Sequence, residues 1–552
     1  MELLFFRIRN FASSSLVRRL VAMADTFADT PVLGSASSSS PSSTDLETAL
    51  LLNANDDDNN NNSNSNSNDN DAVPPTGLSS WLFILMCVSA LVASCGFALA
   101  APYLPEEAKE SYSCGSVCVG FIFSVQPAFA FIGSPLCSQI LKRRLCSRRL
   151  MLILSLNVAG LAFVAFAFVM KLPKPHENQP PVLFVATASI IRAVSGLASG
   201  AVDTTVFAMI ASLCNHEQAH LVRTQGEEST SSTTTTTSTL GDRMGKLELA
   251  YGLGFAVGPA VGAGLYALGG FLLPFLVVGG LTVVLVAPAL QVALQMGPHA
   301  DKSERARQIA SLVELSEESE AQGDDEEQCS VGGLVLARPG ALAALCSAAL
   351  SCACFGALDP SLQIYILSSV SDAHAKEATS AVGLLFCLVA FCYCLATVPV
   401  GRIADRAAPH ACIAAGLVGI AVGFFLLGTP KFPIPYLGEA WAKLLPNVIA
   451  RSAVALCVIG PSAALTFVPS MPALIMEARK RNGIGRNDNW PGEEVWHDSL
   501  SGALSAAWSA GAFVGPLAGG AVVRGLGFDD ATGVFCVVLG AMAALQLASM
   551  LY

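Results

Sequence analysis

The sequence predicts an all-α membrane protein, with twelve transmembrane helices arranged as two six-helix halves. Three observations carry that reading. The 552 residues are 53% hydrophobic and only 13% charged, far from the averages of soluble domains. Apolar runs of about 20 residues, the length that crosses a roughly 30 Å hydrocarbon core, recur from Ser80 to the C-terminus with mostly short polar loops between them. A glycine- and proline-rich pattern occurs once in each half, at corresponding places.

The runs are spans 1 to 12, at 80–103, 116–140, 149–170, 182–213, 246–267, 271–294, 340–369, 378–400, 410–429, 446–473, 500–524 and 530–551. They define a first half at 80–294 and a second at 340–552, joined by an acidic linker at 295–339. Residues 1–79 precede the first span as a tail whose serine and asparagine tracts, Ser37 to Ser40 and Asn59 to Asn70, bury too little apolar surface to fold. The beginning of the tail carries Arg7, Arg9, Arg18 and Arg19 against a single acid, Glu2, and reads either as a cytosolic tail or as an amphipathic targeting segment. The Thr/Ser run from Ser229 to Thr239 and the acidic run from Glu314 to Glu327 read as loop insertions.

The net charge of −11 says little about a ligand, because the acid clusters at Asp56 to Asp58 and at Glu314 to Glu327, outside the spans. No nucleic-acid partner is expected. Most of the 17 cysteines fall inside apolar spans, as Cys352, Cys354, Cys392 and Cys394 do, and read as small packing residues. Neither a metal or other cofactor nor a disulfide framework is expected.

Lys and Arg fix the orientation, because short basic loops stay on the cytosolic side. They concentrate after span 2 (Lys142, Arg143, Arg144, Arg148, Arg149), span 4 (Arg243, Lys246), span 8 (Arg402, Arg406) and span 10 (Arg479, Lys480, Arg481). Glu106 to Glu110 and Lys171 to Glu177, on the other side, are of mixed charge. Both termini and the central linker are therefore expected in the cytosol.

The mirrored pattern is Gly254-Phe-Ala-Val-Gly258-Pro259-Ala-Val-Gly262 in span 5 and Gly511-Ala-Phe-Val-Gly515-Pro516 in span 11. Glycines four apart let helix backbones approach closely, and a proline inside a helix frees a carbonyl and kinks it. Dense packing alone accounts for either copy. Recurrence in both halves points instead to helices that rock in pairs, as in repeat-built transporters.

On these residues the sequence resembles the major facilitator superfamily, with span 5 similar to its antiporter motif. Gly401-Arg402-Ile-Ala-Asp405-Arg406 resembles the superfamily's cytosolic loop signature. Asp405 can cap a helix or pair with basic groups and so hold one conformation. The first-half counterpart, from Gly133 to Arg143, lacks the acid, which leaves any latch expected mainly from the second half.

A closer resemblance is to the vesicular amine transporter family, especially its polyamine branch. It rests on Ala101-Pro102-Tyr-Leu-Pro105-Glu-Glu107, Gly269-Gly-Phe-Leu-Leu-Pro-Phe275, Gly356-Ala-Leu-Asp359-Pro360 and Ala507-Trp508-Ser-Ala-Gly511. The intramembrane aspartates of the family's monoamine carriers correspond here to Ala93, Phe467 and Ser505. The resemblance therefore implies an amine carrier without the monoamine set of acids.

The ionisable residues at membrane depth are Arg192, Asp203, Glu248, Asp359 and Arg451, each unfavourable in lipid unless it faces a cavity or a partner. Arg192, Asp203, Glu248 and Asp359 are the candidate substrate- and proton-binding residues. Glu248 and Asp359, one from each half, can hold a small organic cation, and either can exchange it for a proton. Tyr251, Phe255, Tyr365 and Trp508 offer faces to such a cation. The plainer reading pairs Asp203 with Arg192, sets Glu248 at a helix start facing water and has Asp359 cap a helix before Pro360.

The expected function is therefore a proton-coupled antiporter of organic cations such as polyamines, embedded in a bilayer of an acidic vesicle or the plasma membrane. A multidrug exporter and a non-transporting receptor or scaffold are the alternatives. No motif supplies a nucleophile with its base, so no enzyme is expected.

Overall fold

A computed structural model describes residues 76–100, 102–114, 116–174, 181–225, 240–295, 331–369, 375–431, 435–485 and 493–551. The tail up to residue 75, the Thr/Ser run and the acidic run of the linker lie outside the described residues. Every regular element among the described residues is a helix.

Twelve of these helices are long and apolar enough to cross a membrane. They are span 1 (Trp81–Ala98), span 2 (Cys118–Lys142), span 3 (Arg148–Lys171), span 4 (Val182–Cys214), span 5 (Leu240–Gly269), span 6 (Leu272–Val292), span 7 (Pro339–Leu358), span 8 (Ala381–Arg406), span 9 (Pro409–Gly428), span 10 (Val448–Arg481), span 11 (Val495–Leu526) and span 12 (Phe528–Ala548). They match the predicted runs one for one. Large apolar side chains such as Leu154, Leu161, Ile190, Val284, Leu384, Phe391 and Leu545 are exposed on them. A water-soluble fold would bury such residues, whereas around a helical bundle they form the surface that lipid covers.

The ends of several helices differ from the sequence reading. Gly401 to Arg406 is the last turn of the helix Ala375–Arg406, not a loop. Span 10 is two helices, Val448–Phe467 and Ser470–Arg481. The break falls at Pro469, whose missing N–H cannot continue the ladder. Span 6 contains a π-helical turn at Thr282–Val286.

Packing repeats between the halves. Spans 1 and 5, 2 and 4, 3 and 4, and 3 and 6 pack in the first half. Spans 7 and 11, 8 and 10, 9 and 10, and 9 and 12 do the same in the second. The mirrored glycines are the reason for the first pair. A β-carbon on Gly258 would sit 2.8 Å from the Cys95 carbonyl oxygen in span 1, and one on Gly515 would sit 2.4 Å from that of Ala353 in span 7. Gly254 and Gly262 lie against Leu91 and Leu99 in the same way, and Gly511 against Ala349. Pro259 and Pro516 are inside the two helices. Between halves, span 5 packs on span 8, span 2 on span 11, and span 4 on span 11.

Two short amphipathic helices, Leu104–Tyr112 and Pro435–Leu444, lie at the end opposite the basic loops. The first is tied down by Tyr112, whose hydroxyl donates to the Leu172 carbonyl at 2.9 Å and whose ring stacks on Phe184 at 4.2 Å. Beside it a disulfide joins Cys114 and Cys118, Cα atoms 5.6 Å apart. This corrects the expectation of no disulfide: the two cysteines stand four residues apart at the start of span 2, Cys114 buried in the core of the first half and Cys118 packed against it.

Candidate functional site

Asp203 and Glu248 come together, on spans 4 and 5. Glu248 and Tyr251 are three residues apart on span 5 and share a face. The Tyr251 hydroxyl donates to Asp203 Oδ1 at 2.7 Å. Glu248 receives the hydroxyl of Tyr393, on span 8 of the other half, at Oε2 and 2.5 Å. Glu248 is 4% exposed, so it does not face water at a helix start.

Aromatic rings close the space between the two acids. Trp508 of span 11 meets Phe207 of span 4 edge-on at 5.1 Å and Tyr251 at 6.5 Å. It also meets Phe467 of span 10 at 5.6 Å, and Phe467 in turn meets Tyr393 at 6.4 Å. The chain Asp203, Tyr251, Trp508, Phe467, Tyr393, Glu248 thus forms a ring of two carboxylates and four aromatic side chains drawn from both halves. The indole N–H of Trp508 is buried with no hydrogen-bond partner among the described residues. Neither carboxylate takes part in an ion pair among the described residues.

The basic end of the bundle is shut beside this ring. Asp405 accepts the backbone N–H groups of Gly241 at 2.9 Å and Asp242 at 3.1 Å, capping the start of span 5 from the end of span 8. Asp242 also receives Lys246 at 2.5 Å and Arg402 at 3.4 Å. Across the bundle, Arg148 grips Asp498 at the start of span 11 through two bonds, of 2.7 and 3.0 Å. The first half therefore supplies a latch too, through an arginine at the start of span 3, five residues beyond the run from Gly133 to Arg143 that lacks the acid. Nearer the ring, Ser134 of span 2 bonds Ser505 of span 11 at 2.8 Å.

The other predicted residues lie elsewhere. Arg192 cannot meet Asp203: eleven residues separate them on one helix, about 16 Å along its axis. Arg192 donates instead to Gln126 Oε1 of span 2. Asp359 lies inside the helix Pro339–Ser368, not ahead of a helix start, and its side chain is outside the described residues. Arg451 donates to the Tyr365 hydroxyl at 2.9 Å, and Tyr365 to Asp529 at 3.1 Å, away from the ring. Phe255 is 47% exposed, its ring edge-on to Phe97. Of the four suggested aromatics, Tyr251 and Trp508 belong to the site.

Sequence reasoning missed Tyr393 and Phe207 and saw Phe467 only as a position without an acid. Tyr393 carried a signal, a polar tip inside the apolar run Cys392-Tyr393-Cys394. Its partner lies 145 positions away in the chain, and no local pattern reveals such a contact.

A family model described as Major Facilitator Superfamily matches residues 86–486. Among curated proteins, the chain is 24% identical over 474 residues to the MFS-type transporter SLC18B1 of Mus musculus, covering 84% of this chain and 86% of that one. The human protein of the same name is 24% identical over 443 residues, 79% of each chain. These relatives agree with the family resemblance read from the sequence. Among solved structures, the proton:xylose symporter XylE aligns with a TM-score of 0.58 at 15% identity, over 86% of this chain and 96% of that one. The human organic anion transporter MFSD10 aligns with a TM-score of 0.52 at 16% identity, over 86% and 100%. At such identities the two structures speak for the fold alone.

Proposed function

Because the chain belongs to the major facilitator superfamily, we propose that this multi-pass membrane transporter exchanges protons for organic cations, polyamines or related amines, at Asp203 and Glu248. The observation that carries the reading is the ring itself. Two carboxyl groups at membrane depth, held among the described residues by tyrosine hydroxyls, are expensive as bare charges. Each is relieved by a proton or by a cationic cargo, and one carboxylate cannot hold both. Competition of that kind is exchange. Trp508, Phe467, Tyr251 and Tyr393 surround the carboxylates with faces that attract an ammonium group, and a desolvated contact of this kind is worth about 2 kcal/mol. Asp359 is a further acid from the second half, on the sequence reading alone.

The distribution of Lys and Arg puts the shut end in the cytosol. The Cys114–Cys118 disulfide, at the opposite end, agrees with a lumenal or extracellular face, where thiols are oxidised. With that orientation the structure is the state closed to the cytosol, and the rocking of spans 5 and 11 on their glycine seams opens it.

Uptake into proteoliposomes tests the proposal with labelled spermidine, a monoamine and tetraphenylphosphonium, with and without an imposed pH gradient. Spermidine should accumulate uphill, a protonophore should abolish the accumulation, and Glu248→Gln should cut it at least tenfold at matched reconstitution. Uphill uptake that survives collapse of the gradient, or a strict sodium requirement, would overturn the coupling. Transport of tetraphenylphosphonium alone would identify a multidrug exporter instead.

A further inference from the structure

Away from the carboxylate ring, the first half holds a cation that its own side chains do not balance. Arg192 is 3% exposed on span 4, and its guanidinium lies 4.8 Å from the centre of the Phe166 ring and 5.2 Å from that of Phe123. One nitrogen, Nη1, donates to Gln126 Oε1. Nε and Nη2 are buried without a hydrogen-bond partner. The hydroxyls of Tyr103, Ser189 and Ser195 are in the same condition. Ser189 and Ser195 stand three residues before and after Arg192, one turn away on the same helix face. Tyr103 packs on the Phe271 and Phe275 rings that also meet Phe166, the ring over which the guanidinium lies. Ser195 and Gln126 also line a small cavity, together with Ala93, Ser199 and Thr282.

We propose that Arg192, Tyr103 and Ser195 form a site for a small monovalent anion of the halide type within the first half. The chemistry selects that class. All the unused groups can donate, the one full charge among them is positive, and no ion pair brings a carboxylate to Arg192 among the described residues. A buried guanidinium without a counter-charge is costly at membrane depth, and water would satisfy its N–H groups without offsetting its charge. A cationic cargo is repelled there. The two phenyl rings over the guanidinium favour a small, weakly hydrated ion over phosphate. The site does not depend on what the carboxylate ring carries, since it shares no residue with it.

The test uses the purified full-length protein in nanodiscs, with the thermal midpoint followed as chloride, bromide or acetate replaces gluconate at constant ionic strength. The wild type should show a saturable rise with chloride and bromide, and Arg192→Gln should show none. Tyr103→Phe and Ser195→Ala keep the arginine and should each weaken the apparent affinity about tenfold, a hydrogen bond to a charged group being worth about 1.5 kcal/mol. A wild type with no saturable halide response, a response to acetate alone, or an equal response in Arg192→Gln overturns the site. If Arg192→Gln does not fold, unchanged affinity in both Tyr103→Phe and Ser195→Ala overturns it equally.

Discussion

Two helix pairs close the basic end of the bundle, spans 5 and 8 on one side and spans 2 and 11 on the other, and the repeat that relates the halves exchanges them. They are held by different atoms. Each of spans 5 and 11 opens with an acid, Asp242 twelve residues before Gly254 and Asp498 thirteen before Gly511. Each acid meets an arginine of the other half, at 3.4 Å to Arg402 of span 8 and at 2.7 Å to Arg148, which opens span 3 just after the end of span 2. The first of these interfaces adds a cap through Asp405, an acid that has no counterpart in the run from Gly133 to Arg143. The second compensates by depth: Asp498 is 5% exposed and gripped at two oxygens, whereas Arg402 is 67% exposed in its side chain. The repeat dictates where helices meet, and the local residues decide whether the meeting is an ion pair or a capped helix end.

The largest effect should come from the pair that ties the start of span 3 to span 11. Arg148→Gln leaves the buried Asp498 in the interface without its arginine, and breaking a buried pair from that side costs about 3 kcal/mol. Asp498→Asn leaves an arginine whose side chain is 18% exposed and can reach water, so the cost falls to about 1 kcal/mol. Thermal midpoints of the two variants in nanodiscs measure the asymmetry. Equal shifts would show that depth does not distinguish this latch.

Next comes the seam between spans 5 and 8. A β-carbon on Gly401 would stand 2.3 Å from the Gly241 carbonyl oxygen, backbone that cannot swing aside. Gly401→Val should force the two helix ends apart at a cost of about 2 kcal/mol, and uptake should fall because the cytosolic side no longer seals. Normal stability and uptake would mean that the helices separate freely at this point.

Asp405→Asn should cost less, about 1 kcal/mol, since an amide oxygen retains part of the cap while the charge at the helix start is lost. The change should be local. Hydrogen exchange of the Gly241 and Asp242 amides should quicken while that at the start of span 11 stays as it was. Faster exchange at both places would show that the two interfaces open as one unit, and unchanged exchange at Gly241 would remove Asp405 from the latch.

Much of this architecture was legible in the sequence because it is written in runs: the twelve apolar spans, and the Gly-Pro pattern whose glycines do seat on spans 1 and 7. Pairing Asp203 with Arg192 was wrong on grounds the sequence itself carries, since eleven residues of one helix hold the two apart. What stayed hidden are contacts between distant positions, such as Tyr393 with Glu248 and Arg148 with Asp498, 350 residues apart. Composition misled in one place. Cysteines in apolar spans suggested packing alone, yet Cys114 and Cys118, four residues apart where span 2 begins, are joined in a disulfide within a buried apolar cluster. The loop signature misled in another, because Gly401 to Arg406 continues the helix and so aims Asp405 along the bundle at span 5.

The smallest effect should be at Ser134 and Ser505, the hydroxyl pair that joins spans 2 and 11 above the arginine latch. Ser505 occupies a position where the resembled monoamine carriers place an aspartate, so the pair stands where a charge would otherwise act. Ser134 Oγ also approaches the Ala130 carbonyl at 2.9 Å, which keeps that hydroxyl satisfied if Ser505 is removed. Ser505→Ala should then cost under about 1 kcal/mol, and Ser134→Ala about 1 kcal/mol, because the latter leaves the Ser505 hydroxyl, 1% exposed, without this partner. Removing both should cost less than the sum of the singles, since no buried hydroxyl of the pair remains unsatisfied. A double-mutant cycle on thermal midpoints reads the coupling. Strict additivity would show that the two hydroxyls merely touch, and that the polar hold on this side comes from the pair Arg148–Asp498 between spans 3 and 11.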